Sequence, residues 1–107
     1  MNPVARRVLF KASFLDDLAK FEKFIGRNNP AQGRLFSSRV LDFCYDVVAP
    51  FPLAYPAFRQ AEIEDQSVRR ALFRRDYAVL YRVGDDFIKF VALYHTGQNT
   101  ANMMVPE

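Results

Sequence analysis

His95 is the chain's one histidine and closes the run Phe87 to His95, directly after Tyr94. Imidazole changes charge near neutral pH and can act as a general acid or base. In the same third of the chain stand Arg69-Arg70, Arg74-Arg75 and Arg82, together with Tyr77 and Tyr81. A guanidinium is a planar fork that grips phosphate or carboxylate at two points. Gathered on one sheet, these five would attract nucleic acid or an acidic protein segment. The plainer reading of such flanking charge is an edge strand kept soluble and unpaired. Tyr77, Tyr81 and Tyr94 suit burial of their rings with hydroxyls at a polar rim, and base stacking is the sharper alternative. Most lone histidines do no chemistry, and no Ser-His-Asp triad can be read from scattered residues. With no GxxxxGK[ST], no GxGxxG and no paired His ligands, the sequence calls for no nucleotide cofactor and no metal.

The elements that must position these residues can be read from spacing. Val68 to Arg74, Tyr77 to Val83 and Asp86 to His95 are rich in branched and aromatic residues and predict three strands of an antiparallel meander. Gly84-Asp85 suits a two-residue type II′ turn, which would pair Val83 with Asp86, Tyr81 with Ile88 and Val79 with Phe90. One face then carries Tyr77, Val79, Tyr81, Val83, Ile88, Phe90, Ala92 and Tyr94 and should cover helices. The other carries Ala78, Leu80, Arg82, Phe87, Lys89, Val91, Leu93 and His95 and should be partly open.

Upstream, Arg6 to Lys11 predicts a short strand, and Ser13 with Asp16 a variant capping box for the helix after it. Phe14, Leu18, Phe21 and Ile25 form that helix's core stripe. Gly26 offers a left-handed stop, while Asn29 and Pro30 offer an N-cap and a first helical residue. In the second helix Phe36, Val40, Phe43 and Val47, widened by Leu41, Cys44 and Val48, face inward until Pro50 and Pro52 end it. Pro50 to Gln66 reads as an irregular connection, and Thr96 to Glu107 as an extended or mobile tail.

The chain's 107 residues, 50% of them hydrophobic and 15% aromatic, suit one α+β domain over 1–107. Net charge is only +3, yet eleven of the fifteen basic residues are Arg. A single cysteine, Cys44, excludes an internal disulfide and fits a reducing cytoplasm. No apolar run approaches the roughly 20 residues of a membrane span, and Met1 to Phe10 lacks the apolar core of a signal peptide.

An N-terminal strand, a helical hairpin, Val68-Arg69-Arg70, then Tyr77-Ala78-Val79-Leu80-Tyr81-Arg82-Val83 and a last strand ending in His95 make the chain similar to the RelE/ParE toxin superfamily of plasmid-stabilising bacterial toxin-antitoxin systems. The resemblance covers about Arg6 to Asn99. It implies a small antiparallel sheet with the helical hairpin packed on one face, and a growth-inhibiting toxin held inactive by a cognate antitoxin, as a homodimer or a heterotetramer with it. Two activities follow from the resemblance. ParE-like members poison DNA gyrase, whereas RelE-like members cut mRNA on the ribosome. Ala78 stands where RelE-like nucleases place a phosphate-stabilising Arg, so the ParE-like activity, which does not require that Arg, is the expectation; Thr96-Gly97-Gln98-Asn99 departs from the basic residues that follow the last strand in both kinds. His95 is then the candidate catalytic residue of the nuclease alternative. Arg69, Arg70, Arg74, Arg75, Tyr77, Tyr81, Arg82 and Tyr94 are the candidate target- or antitoxin-binding set. An inactive member that only binds a partner is the third reading.

Overall fold

Apolar residues at helical spacing in the first half of the chain and branched or aromatic runs in the second divide it into helices and strands. In a computed structural model, which describes residues 6–58, 68–98 and 105–106, these become β1 (Arg7–Phe10), α1 (Ala12–Ile25), α2 (Pro30–Asp42), β2 (Val68–Phe73), β3 (Tyr77–Val83) and β4 (Phe87–His95). A π-helical continuation of α2 spans Phe43–Val48, and a 3-10 turn spans Pro52–Ala54. The sheet order is β1-β4-β3-β2. β2, β3 and β4 form the expected meander, but β1 lies parallel to β4, with Arg7 opposite Phe87 and Phe10 opposite Phe90. The sheet is therefore mixed, a correction to the antiparallel expectation. The helical crossover brings β2 in along the direction of β1, and two hairpins later β4 points the same way.

The expected Ser13/Asp16 cap of α1 does not form. Lys11 is the extended N-cap residue and its side chain does not cap the helix, and Ser13 Oγ donates to the Val91 carbonyl at 2.6 Å. Gly26 ends the helix at φ −85°, so it is not the left-handed stop the sequence suggested. Asn29 does cap α2, its side chain accepting from Ala31 N at 3.2 Å with Pro30 first in the helix. The two helices pack closely because Gly33 has no side chain, since a Cβ there would stand 2.3 Å from the Glu22 carbonyl oxygen.

After Asp42 the helix widens, and a π turn spends one more residue per turn than an α turn. That holds Phe36, Val40, Cys44 and Val48 inside at constant four-residue steps and leaves Val47, expected in the core, exposed. The 3-10 turn is tied down by Tyr81, whose buried hydroxyl donates to the Pro52 carbonyl at 2.7 Å. Residues 56–58 then touch the outer edge of β2, with Phe58 N donating to Val68 O at 2.8 Å and Arg70 N to Pro56 O at 3.2 Å. The rest of the expected irregular connection, residues 59–66, lies outside the described residues.

The β3–β4 hairpin departs from the two-residue II′ turn. Gly84 does not have positive φ, Val83 faces Ile88, and Tyr81 faces Phe90 rather than Ile88. Three residues, Gly84 to Asp86, separate the strands, and Gly84 N donates to Phe87 O at 2.9 Å. Slipping by two residues keeps the faces, so Val79, Tyr81, Ile88 and Phe90 do pack under the helices. Between Leu80 and Tyr81 the register shifts again: Leu80 pairs with Ala92 and Val79 with Leu93, so Val91 is an extra residue of β4. This bulge turns every later side chain over. Leu93 joins the core beneath the helices, whereas Ala92 and Tyr94 fall on the opposite face, the reverse of the expected assignment.

That opposite face is not open. Phe58, Val68, Ala78, Leu80, Val91, Ala92 and Tyr94 are buried there, with Val105 packed against them. Pro106 accepts a hydrogen bond from Arg82 Nε at 3.2 Å. Of the expected tail, Val105 and Pro106 lie against this face; residues 99–104 and 107 lie outside the described residues. On the helix side, the rings of Phe10 and Phe90 stack at 5.3 Å between centroids, and Phe14 closes on both at 5.4 and 5.9 Å. Among the described residues no helix is long and apolar enough to cross a membrane.

Candidate functional site

The arginines expected to gather on one sheet surface are divided by it. Alternation along β2 sends Arg69 toward the helices, where its guanidinium donates to the Tyr55 carbonyl, and Arg70 to the opposite face, where Nη1 donates to Tyr94 Oη at 3.2 Å. Arg82, opposite Val68 in the register, lies on the same face as Arg70 and holds Pro106. A hollow of about 420 Å³ beside Arg70 is lined by Pro56, Ala57 and Phe58. Arg74 and Arg75, the former expected inside the strand, form the β2–β3 turn instead, with φ of 55° and 67°. Left-handed geometry at two consecutive non-glycine residues is uncommon. It swings the chain around in a tight turn and leaves both side chains exposed at the end of the sheet, Arg74 lying over the Phe73 ring at 4.9 Å.

The tyrosines separate in the same way. Tyr81 is buried among Tyr55, Phe90 and the Pro52 carbonyl, and burial pushes its phenol up, opposed by Arg69. It is a structural anchor with no exposed surface. Tyr77 is half-buried, edge-on to Phe21 and to His95, and its pKa is raised by burial and by Asp76, with Arg74 acting against them. Tyr94 points to the other face, with Arg70.

His95 stands opposite Tyr77 in the register, its ring 5.2 Å away. Gly97 N donates to His95 Nδ1 at 3.0 Å, which in the neutral ring assigns the proton to Nε2. The His95 main-chain N–H donates to Gln98 Oε1 at 2.7 Å, Gln98 N returns to the His95 carbonyl at 2.9 Å, and Thr96 N donates to Asp76 O at 2.8 Å. The Thr-Gly-Gln ending, in sequence only a lack of basic residues, is a turn that fixes the imidazole.

His95 opens onto a groove of about 900 Å³ between α1 and the end of β4, with Asp17, Lys20, Phe24 and Leu93 among its walls. The groove exists because β1 stops at Phe10 while β4 continues to His95, leaving one edge of β4 without a neighbouring strand. Side chains of α1 take that strand's place: Ser13 Oγ donates to Val91 O, and Asp17 Oδ2 accepts from Leu93 N at 3.1 Å. Burial raises the pKa of Asp17, opposed by the Leu93 N–H and by Lys20. Sequence reasoning missed Asp17. Its signal was the i, i+4, i+7, i+11 row Ser13, Asp17, Lys20 and Phe24 beside the core stripe of α1.

The arrangement therefore holds two separate chemistries. One sheet face offers Arg70 with a tyrosine hydroxyl, and the groove at the other side offers an imidazole, a carboxyl and an apolar wall. Ala78, wholly buried, sits opposite Tyr94. No group of three or more His, Cys, Asp or Glu side chains among the described residues could hold a metal.

A family model described as the ParE toxin of type II toxin-antitoxin system, parDE, matches residues 8–100. No curated protein matches the sequence. Among solved structures, the chromosomal ParDE toxin-antitoxin system from P. aeruginosa aligns with TM-score 0.69 at 12% identity, covering 87% of this chain and 98% of that one. The conserved hypothetical protein HP0894 from Helicobacter pylori aligns at 0.55 with 16% identity, over 87% and 97% of the two chains. YafQ from E. coli also aligns at 0.55, with 14% identity over 85% and 93%. At these identities the structural likenesses establish the fold.

Proposed function

Because the chain belongs to the ParE toxin family of type II toxin-antitoxin systems, we propose that it is a ParE-like toxin that acts in the bacterial cytoplasm on DNA gyrase and is neutralised by a cognate antitoxin. The carrying observation is the division of the site by the sheet. Arg70 and Tyr94 lie on one face, His95 and Tyr77 on the other, and Ala78 fills with a buried methyl the position opposite Tyr94. A nuclease needs its acid, its base and its phosphate clamp around one scissile phosphate. Loss of a charge-stabilising group typically lowers a rate by about 10² to 10³. The Arg70–Tyr94 face, with Arg82 beside it, suits recognition of an acidic protein surface, since a guanidinium pairs with carboxylates without any catalytic partner.

The nuclease alternative has one observation of its own: His95 is exposed and its Nδ1 is occupied, which leaves Nε2–H to serve as a proton donor. Inducing the protein without an antitoxin, while mapping gyrase-linked DNA breaks and transcript ends, separates the readings. With His95→Ala, growth inhibition and DNA breaks are expected to persist, whereas Arg70→Ala weakens both. A catalytic acid or base contributes roughly 10² to 10⁴-fold. If folded His95→Ala loses toxicity together with transcript cleavage, the nuclease reading replaces this one; absence of both lesions in the unmodified chain leaves a binding module.

A further inference from the structure

We propose that the end of the molecule at which the α1–α2 hairpin overhangs the β2–β3 turn binds the phosphate backbone of double-stranded DNA. Ring contacts put the two parts together: Phe21 meets Tyr77 at 5.2 Å, and Phe36 meets Tyr77 at 4.8 Å and Phe73 at 6.0 Å. The hairpin contributes Lys20, Lys23, Arg27 and Arg34, none of which belongs to the candidate set read from the sequence. The turn contributes Arg74 and Arg75, and all six side chains are exposed. At about 100° per residue Lys20 and Lys23 fall opposite the core stripe of α1. Lys23, Arg27 and Arg34 line a hollow of about 500 Å³ beside Gly26 and Pro30.

These cations are uncompensated within the chain. The acids at this end are Glu22 and Asp76, with Asp16 and Asp17 one turn before Lys20, and among the described residues none of them forms an ion pair with the six. The far end of the sheet differs: there Arg7 pairs with Asp86 at 3.8 Å, and Arg6 Nε donates to the Gly84 carbonyl at 3.1 Å. The fold also fixes part of the basic set in place. Arg27 Nη1 donates to Phe24 O at 3.0 Å, with the guanidinium 4.1 Å over the Phe24 ring. Thr96 Oγ1 shares its proton between the carbonyls of Arg75 and Asp76 at 3.1 and 3.2 Å, holding a turn whose two left-handed residues are strained.

The spread of the charge selects the partner. A single phosphate in the hollow would reach Lys23, Arg27 and Arg34 and leave the turn unused. Protein interfaces are depleted in Lys and centre on apolar contacts, whereas here two of the four hairpin cations are Lys and the exposed Phe24 ring lies beneath a guanidinium. Single strands are held by open aromatic faces on which bases stack, and Arg27 covers one face of that ring. Double-stranded DNA carries about one charge per 1.7 Å of its axis. Phosphate contacts from Lys and Arg hold a duplex without an apolar partner and without reading its sequence. The inference goes beyond the gyrase reading and is tested on the isolated chain, so either can fail alone.

Fluorescence anisotropy of a labelled, mixed-sequence DNA duplex of about 20 base pairs, titrated with the full chain between about 50 and 200 mM salt, tests it. Binding of about micromolar order is expected at the lower salt, with log K falling against log salt at a slope of about −4 to −5. Lys23→Ala, Arg34→Ala and Arg75→Ala should each flatten that slope by about 1 and weaken binding about tenfold near 100 mM salt. Arg7→Ala removes the same charge at the far end and should change neither. Circular dichroism should be unaltered in all four, since the side chains are exposed. Absence of binding at about 50 mM salt overturns the proposal. So does a loss as large in Arg7→Ala as in the hairpin variants, which would reduce the effect to net charge. Equal or tighter binding of single-stranded RNA or of polyglutamate overturns it in favour of that partner.

Discussion

Asp17 gives the sharpest test of how the groove is built, because the position asks for an acceptor and not for a charge. Its Oδ2 accepts from Leu93 N at 3.1 Å on the stretch of β4 that has lost β1 as a neighbour. In Asp17→Ala that N–H loses its acceptor in a part-buried position, at a cost of about 1 to 3 kcal/mol, and water reaching into the groove keeps the figure toward the lower end. Asp17→Asn retains a carbonyl oxygen at the same place and removes an ionisation that burial opposes. At pH 7 it should therefore match or exceed the parent in stability and stand above the alanine variant.

The pH dependence has a definite sign. A carboxyl whose pKa is raised on folding adds stability that is fully present below its unfolded value of 3.8 and is lost as pH rises through the folded value. The asparagine variant has no such ionisation, so its advantage over the parent is greatest at neutral pH and narrows on acidification. Urea denaturation of the parent and both variants at pH 7 and near pH 3 reads both effects. An alanine variant within about 0.5 kcal/mol of the parent would show that Leu93 N needs no acceptor. An asparagine advantage that grows on acidification would contradict the burial of the carboxyl.

Two other substitutions probe the core. Phe90→Ala removes a fully buried ring held by Phe10, Phe14 and Tyr81 and should destabilise by about 3 to 5 kcal/mol in denaturant titrations; a loss under about 1 kcal/mol would put that face in water. Tyr81→Phe leaves the Pro52 carbonyl without its buried donor and should lose about 1 to 3 kcal/mol while raising amide exchange at Leu53 and Ala54, and unchanged exchange there would mean the turn is held by something else.

What the residues disclosed and what they hid follow one physical division. Spacing along one element is local, so the core stripe of α1, the Asn29 cap and the limits of β3 were legible before any coordinates. Pairing between elements is set by loops and by competition for hydrogen bonds, and there the reading slipped. Gly84-Asp85 has the residues of a two-residue turn, but the chain leaves three residues, Gly84 to Asp86, between the strands, without positive φ at Gly84. Val91 is an ordinary strand residue, and nothing in its type announces a bulge. Yet that one residue moves His95 beside Tyr77 and Tyr94 beside Arg70, and so divides a site that simple alternation would have arranged differently. Val47 was misplaced for a related reason, since a helix that adds a residue to its turn rotates everything after it. The sheet therefore divides the candidate residues instead of gathering them on one surface. Arg69 and Tyr81 brace the sheet against the 50–58 segment, Arg74 and Arg75 make a turn, and Arg70, Arg82 and Tyr94 remain together on the face away from the helices. A side chain's type limits the chemistry it can do, but the register of the strand beneath it decides which neighbours it does that chemistry with.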